Sequence, residues 1–137
     1  RMQKITPVSE LVTKAEAVIN RLCVAEAYQQ QKNKQAILVD LRDIRELAKS
    51  GSIEGATHAP RGMLEFWVDP KSPYFKPVFA TNKPLILFCA SGWRSALAAK
   101  TLMEMGFDNI YDIKGGFTAW QEAGYFVSPH NTKNAHS

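Results

Sequence analysis

Cysteine is scarce in this chain. Its 137 residues hold two, Cys23 and Cys89, and they form no CxxC pair. That excludes a disulfide framework and the usual zinc spacing. Histidine is scarce too. His58, His130 and His136 show no ligand spacing, so no metal site is expected. No apolar run approaches the roughly 20 residues that cross a bilayer, so no membrane partner is expected. The chain carries 17 Lys and Arg against 13 Asp and Glu, a formal charge of +4. These cations are scattered, with no dense basic run and no interleaved aromatics, so nucleic acid is not an expected partner. The charge reads as a mildly basic, solvated surface that can favour small anions. No signal-peptide pattern opens the chain. The expected location is the cytoplasm, with a leader removed ahead of Arg1-Met2 as the open alternative. There is no internal repeat and no linker long enough for a second domain.

What is present is an ordinary globular balance, 45% hydrophobic and 22% charged, in a chain long enough for one core. Thr6-Pro7 reads as a helix start, with Thr as N-cap and Pro at the first helical position. Val8, Leu11, Val12, Ala15, Val18 and Ile19 then recur at helical spacing, giving a helix expected to cover a sheet. A second helix is expected from Val24 to Gln31, ended by Asn33. Ile37-Leu38-Val39 reads as a strand, Asp43 to Lys49 as a helix stopped by Gly51, and Gly55 to Pro60 as a short strand entering a loop. Pro70, Pro73 and Pro77 make Arg61 to Asn82 read as mostly irregular, pinned by Phe66, Trp67, Tyr74 and Phe75. Leu85 to Phe88 is the expected central strand, Arg94 to Met105 a helix closed by Gly106, and Asn109 to Ile113 a last strand. Gly115-Gly116 then turns into a short helix ending near Gly124. The polar tail after Val127 is expected to fray. Strands alternating with helices predict an α/β fold with a parallel sheet covered on both faces.

One of the two cysteines stands where chemistry is usually placed. Cys89 closes the apolar run Pro84-Leu85-Ile86-Leu87-Phe88 and opens Cys89-Ala90-Ser91-Gly92-Trp93-Arg94-Ser95, with a helix directly after it. In open α/β sheets ligands gather where strands end and helices begin. A helix N-terminus offers free N–H groups and partial positive charge, which favour a thiolate or a bound anion. Backbone N–H groups of Ala90 to Arg94 can form an anion-binding nest around the sulfur. Gly92 permits positive φ there. Arg94 is the only formal charge in the loop, either touching substrate or bracing the loop through a carboxylate. Ser95 is placed to cap the helix or donate to the sulfur, and Trp93 to wall the loop. Arg61, after Pro60, is a candidate anion ligand, although an ordinary surface arginine is the simpler and favoured reading. Cys23 opens a helix and reads as a small structural residue.

Four stretches, taken together, resemble the single-domain rhodaneses, which are sulfurtransferases. They are Val39-Asp40-Leu41-Arg42; Gly51-Ser52-Ile53-Glu54-Gly55-Ala56 with His58-Ala59-Pro60; the Cys89 loop; and Ile113-Lys114-Gly115-Gly116 with Ala119-Trp120 and Gly124. Ser52 departs from the histidine the family often has before the isoleucine. The resemblance covers most of Arg21 to Val127. It divides the chain into a helical extension packed on the domain over 1–20, the rhodanese domain over 21–127 and a polar tail over 128–137. It implies a five-stranded, mostly parallel sheet with helices on both faces, and Asp40 and Arg42 as a structural pair. It also implies a Cys89 that carries sulfur as a persulfide without any bound cofactor. The implied partners are a small sulfur donor such as thiosulfate and an acceptor that is cyanide, a small thiol or a protein thiol. Donor identity stays open: rhodaneses that favour thiosulfate often have a basic loop, and this one is neutral apart from Arg94. Oligomeric state stays open as well.

Three other readings use the same residues. A cysteine-based phosphatase or arsenate reductase cradles a thiolate with loop amides and an arginine, but in a Cys-x5-Arg spacing; here it is Cys-x4-Arg, tighter than a tetrahedral phosphate suits. A binding module without turnover usually lacks the cysteine. A persulfide carrier dedicated to one protein partner differs from a small-molecule enzyme in nothing the sequence contains.

Overall fold

The structure, a computed structural model, describes residues 3–130. Five parallel strands make one sheet in the order β1-β5-β4-β2-β3. They are β1 (Asn20–Leu22), β2 (Ile37–Asp40), β3 (Thr57–His58), β4 (Leu85–Phe88) and β5 (Ile110–Ile113). The helices are α1 (Val8–Glu16), α2 (Val24–Lys32), α3 (Ile44–Ser50), α4 (Leu64–Val68), α5 (Trp93–Glu104) and α6 (Gly116–Glu122).

The centre of the sheet follows from the apolar run that makes β4. All four of its residues are buried. Side chains alternate across a strand, so Leu85 and Leu87 enter one core with Val39, Ala98, Ala99 and Leu102. Ile86 and Phe88 enter the other with Leu38, Ile113, Phe117 and Trp120. Each such side chain contributes about 1.5–3 kcal/mol of burial. A strand with two apolar faces needs cover on both, and α5 and α6 supply it on opposite sides. Register places Asp40 beside Phe88 and Leu87 beside Asp112. The chain therefore leaves β2, β4 and β5 at the shared carboxyl end of these parallel strands, where Cys89 lies.

Several expectations are corrected. Asn20–Leu22 is a strand, paired with Tyr111–Ile113. Its three residues include one aliphatic side chain, too few for a period-2 pattern. A boundary after residue 20 therefore falls inside β1. Helix α1 begins one residue later than Thr6-Pro7 suggested, with extended Pro7 in the N-cap place and no side-chain cap. It packs on α5 rather than on the sheet, through Val12 and Ala15 against Ala96. Val8, Leu11 and Val18 of its apolar stripe stay exposed. The proline-rich segment contains α4, which fits between Pro60 and Pro70 and buries Leu64 and Val68 one turn apart. Trp67 and Phe75 pack against the core, whereas Phe66 and Tyr74 remain exposed and meet edge to face. Gly106 lies just past the end of α5: its N–H reaches the Met103 carbonyl, and that of Phe107 reaches Leu102, closing the helix with the expected glycine. Ser128, the first residue of the expected frayed tail, bridges antiparallel to Ser52. The remainder of that tail, 131–137, lies outside the described residues, as does His136.

Candidate active site

Cys89 ends the most buried strand and is itself 1% exposed. Two sets of backbone bonds hold its loop. Phe117 and Thr118 N–H groups, at the start of α6, donate to the carbonyls of Cys89 (2.8 Å) and Ala90 (3.0 Å). This close approach requires glycine at 116, where a Cβ would stand 2.5 Å from the Cys89 oxygen. On the other side, Gly92 adopts φ 117°, a conformation that favours glycine. Its N–H thereby points at Cys89 Sγ, 3.1 Å away.

Among the described residues, the sulfur has two hydrogen-bond contacts. One is the Gly92 N–H; the other is Ser95 Oγ, toward which the thiol donates at 3.7 Å. The expected nest of amides from Ala90 to Arg94 is thus represented at the sulfur by Gly92. The twelve-residue helix α5 starts at Trp93 and aims its positive end at the same region. Ala90 is half-buried and Ser91 exposed. Trp93 stands at the helix start with 52% of its surface exposed. Ser95 is fully buried and donates to Asp112 Oδ2 at 2.8 Å.

Arg94 has a carboxylate partner. Its guanidinium forks onto Glu46 at 2.9 and 3.0 Å. Asp43 caps α3 and receives the Arg45 N–H, while Glu46 reaches back to the Asp43 N–H at 2.8 Å. That capping box turns the Glu46 carboxylate toward the loop. The Arg94 hydrogen bonds hold the Glu46 carboxyl below its ordinary range, against the opposing effect of burial. Glu46 in turn raises Arg94, and the neighbouring Cys89 adds to that rise. Asp40 and Arg42 form a pair 2% exposed on both sides. Arg42 also donates to the Gly51 carbonyl at 2.9 Å and lies 3.8 Å over the Phe117 ring. This pair joins the end of β2 to α3 and α6. Arg61 is drawn to Glu65 at 2.7 Å. No described hydrogen bond joins Arg61 to the cysteine loop, and its part as an anion ligand gains no support there.

Sequence reasoning missed Arg21, Glu46 and Asp112. Arg21 donates to both oxygens of Asp112 (2.9 and 3.0 Å) and to the Gly92 carbonyl (2.8 Å), and its remaining nitrogen pairs with Glu16. The Asp112 bonds raise the Arg21 pKa. A signal existed: an acidic residue in the apolar strand Ile110-Tyr111-Asp112-Ile113 is out of character for a parallel sheet. Cys23 sits at the N-cap of α2 with Glu26, as a structural reading expects. A cavity of about 590 Å³ lined by Tyr28, Ile53, Trp120 and Phe126 includes none of residues 89–95, so the chemistry is not located by it. No group of metal-ligating side chains is found among the described residues, and none of their helices is long and apolar enough to cross a membrane.

With this geometry in view, comparison with known proteins is informative. A family model for the rhodanese-like domain matches residues 24–123. A Rhodopseudomonas palustris protein of unknown function, described as a possible tyrosine phosphatase, is 42% identical, with a TM-score of 0.87 over 93% of this chain and 99% of that one. A homodimeric polysulfide-sulfur transferase from Wolinella succinogenes is 32% identical, with a TM-score of 0.67 over 93% of this chain and 91% of that one. A human single-domain sulfurtransferase is 26% identical, with a TM-score of 0.62 over 74% of this chain and 95% of that one.

Proposed function

The chain belongs to the rhodanese-like domain family, and on that premise we propose that it is a sulfurtransferase working through a persulfide on Cys89. The observation that carries the proposal is the short loop: Cys89 Sγ lies at the end of β4, under the Gly92 N–H and beside the start of α5. Such surroundings favour an anionic sulfur over a neutral thiol. In the first half-reaction the Cys89 thiolate attacks the outer sulfur of the donor. With thiosulfate, the donor S–S bond breaks and sulfite leaves with its electron pair, giving Cys89–S–S⁻. In the second, an acceptor thiolate or cyanide attacks the outer persulfide sulfur and restores the Cys89 thiolate. No cofactor is needed, because the transferred atom rides on the cysteine itself.

The neutral loop does not favour a doubly charged donor strongly. Small persulfides, which carry one charge, therefore stand beside thiosulfate and mercaptopyruvate as donors, and polysulfide joins them on the name of the Wolinella relative alone. A carrier role toward one protein thiol uses the same chemistry, in a cytoplasmic setting. A second reading, phosphatase activity, is favoured by the description of the Rhodopseudomonas relative. The Cys-x4-Arg spacing and the engagement of Arg94 by Glu46 weigh against it.

The test is intact-mass measurement after exposure to thiosulfate, polysulfide, mercaptopyruvate or glutathione persulfide. One added sulfur on Cys89 is expected, removed by thiol or cyanide and absent in Cys89→Ser. If no donor loads the protein, the proposal fails. Cys89-dependent hydrolysis of an aryl phosphate would establish the second reading instead.

A further inference from the structure

Asp112 is fully buried in β5, where a carboxylate is strongly disfavoured unless paired and hydrogen-bonded. Its partners are Arg21 from β1, directly alongside in the register, and Ser95 from α5. Both partners lead to Cys89. Ser95 Oγ stands 2.8 Å from Asp112 and 3.7 Å from the sulfur. Arg21 holds the carbonyl of Gly92, whose own N–H donates to the sulfur. Both of these hydrogen-bond partners of Sγ are therefore anchored on one ion pair, whereas Arg94, which also interacts with Cys89, is held separately by Glu46.

We propose that Arg21 and Asp112 are positioning residues for an anionic Cys89. Asp112 fixes Ser95 Oγ beside the sulfur, and Arg21 fixes Gly92 and cancels the Asp112 charge that would otherwise oppose a thiolate or persulfide. In the thiol state the Ser95 hydroxyl donates to Asp112 and its lone pairs face the S–H. When the sulfur is anionic, one rotation of that hydroxyl turns it into a donor to the sulfur. Asp112 then still keeps both Arg21 bonds, so the rotation leaves no buried carboxylate oxygen without a donor.

The charged groups around Cys89 are few enough to read the effect. Arg21 reaches the Gly92 carbonyl from β1 and Asp112 reaches Ser95 from β5, while Arg94 of α5, backed by Glu46 of α3, interacts with Cys89 itself. The Asp40–Arg42 pair closes the end of the neighbouring strand β2, and the first turn of α6 carries no charge. Removing the Arg21 cation leaves Asp112 as an uncompensated anion near the sulfur. Removing the Asp112 charge does the reverse.

The inference rests on the proposed nucleophilic role of Cys89, but its test needs no sulfur donor. In a Cys23→Ser background, the rate of Cys89 alkylation by iodoacetamide is followed by mass against pH. Arg21→Gln is expected to slow Cys89 alkylation near neutral pH several-fold and to move its pH profile upward. Asp112→Asn is expected to leave that profile unchanged or move it downward. A purely structural pair predicts lower melting temperatures for both variants with unmoved pH profiles, and that result overturns the proposal. An upward shift in Asp112→Asn as large as that in Arg21→Gln overturns it too. If Arg21→Gln does not fold, Arg21→Lys, which keeps the charge but reaches fewer acceptors, is read instead; a several-fold slowing supports the proposal and an unchanged profile overturns it. Donor loading, measured separately, decides the sulfurtransferase reading.

Discussion

Two arginine–carboxylate pairs support the Cys89 loop, and the chain builds them in opposite ways. Asp40 and Arg42 are two positions apart on one turn, and both are buried. Arg21 and Asp112 are 91 positions apart and meet only because β1 lies beside β5. The local pair joins structural elements to each other: β2, the Gly51 turn and the Phe117 ring. The distant pair reaches the groups that touch the sulfur. A local pair can form once its turn forms, whereas the distant one waits for the sheet to close. The reactive surroundings of Cys89 therefore depend on an edge strand of three residues, and the pair that stabilises the framework does not.

That contrast can be broken by substitution, and the largest effect is expected at the local pair. Asp40→Ala leaves the Arg42 guanidinium buried without its carboxylate and should cost about 3–5 kcal/mol of stability in denaturant titration. The double variant Asp40→Ala, Arg42→Met should recover part of it, since an apolar replacement removes the unpaired charge. Protein that remains folded should still load sulfur. If stability is unchanged and loading is lost, the two pairs have been given the wrong roles.

A smaller effect is expected at Glu46–Arg94, which is exposed by more than a third on both sides. Solvent screening limits such a pair to about 0.2–1 kcal/mol. The Glu46 pKa is depressed in the folded protein. Its contribution is thus fully present above the ordinary carboxylate range and is lost as pH falls through the depressed folded value. Melting curves of the parent and Glu46→Gln should differ at neutral pH and converge in acid. A gap that persists in acid would show that the contribution is not ionic.

The smallest effect sharpens the comparison from outside it. Arg61 pairs with Glu65 and is tied to neither of the two pairs. Arg61→Ala should change the rate of sulfur loading by less than about twofold, because Arg61 is held by Glu65 in a partly buried i,i+4 pair away from the Cys89 hydrogen bonds. A tenfold loss confined to thiosulfate would restore Arg61 as an anion ligand.

Legibility in the sequence followed the range of the interactions. The apolar run Leu85 to Phe88 could only be a strand buried on both faces, and Cys89 at its end, followed by a helix, located the candidate site. Asp43 to Lys49 was legible as a helix, but its capping box and the arginine to which that box presents Glu46 were not read from the sequence. Helix α4 was hidden because prolines on either side dominated its composition. Strand β1 was hidden because Asn20-Arg21-Leu22 has no pattern of its own; its place comes from hydrogen bonding to β5. Arg94 was legible as a charge in the loop, but its carboxylate partner depended on where α3 packed.

The sequence by itself determined the α/β alternation, the central strand, the short cysteine loop and the glycine that lets it bend. Each is set by residues a few positions apart, through backbone conformation and apolar periodicity. Only the tertiary structure decided which charges meet. The strand order β1-β5-β4 puts Arg21 beside Asp112, and helix packing puts Ser95 and Glu46 within hydrogen-bond reach of their partners. Those contacts cross 17 to 91 positions, and no local pattern encodes them because their geometry exists only after both cores have closed.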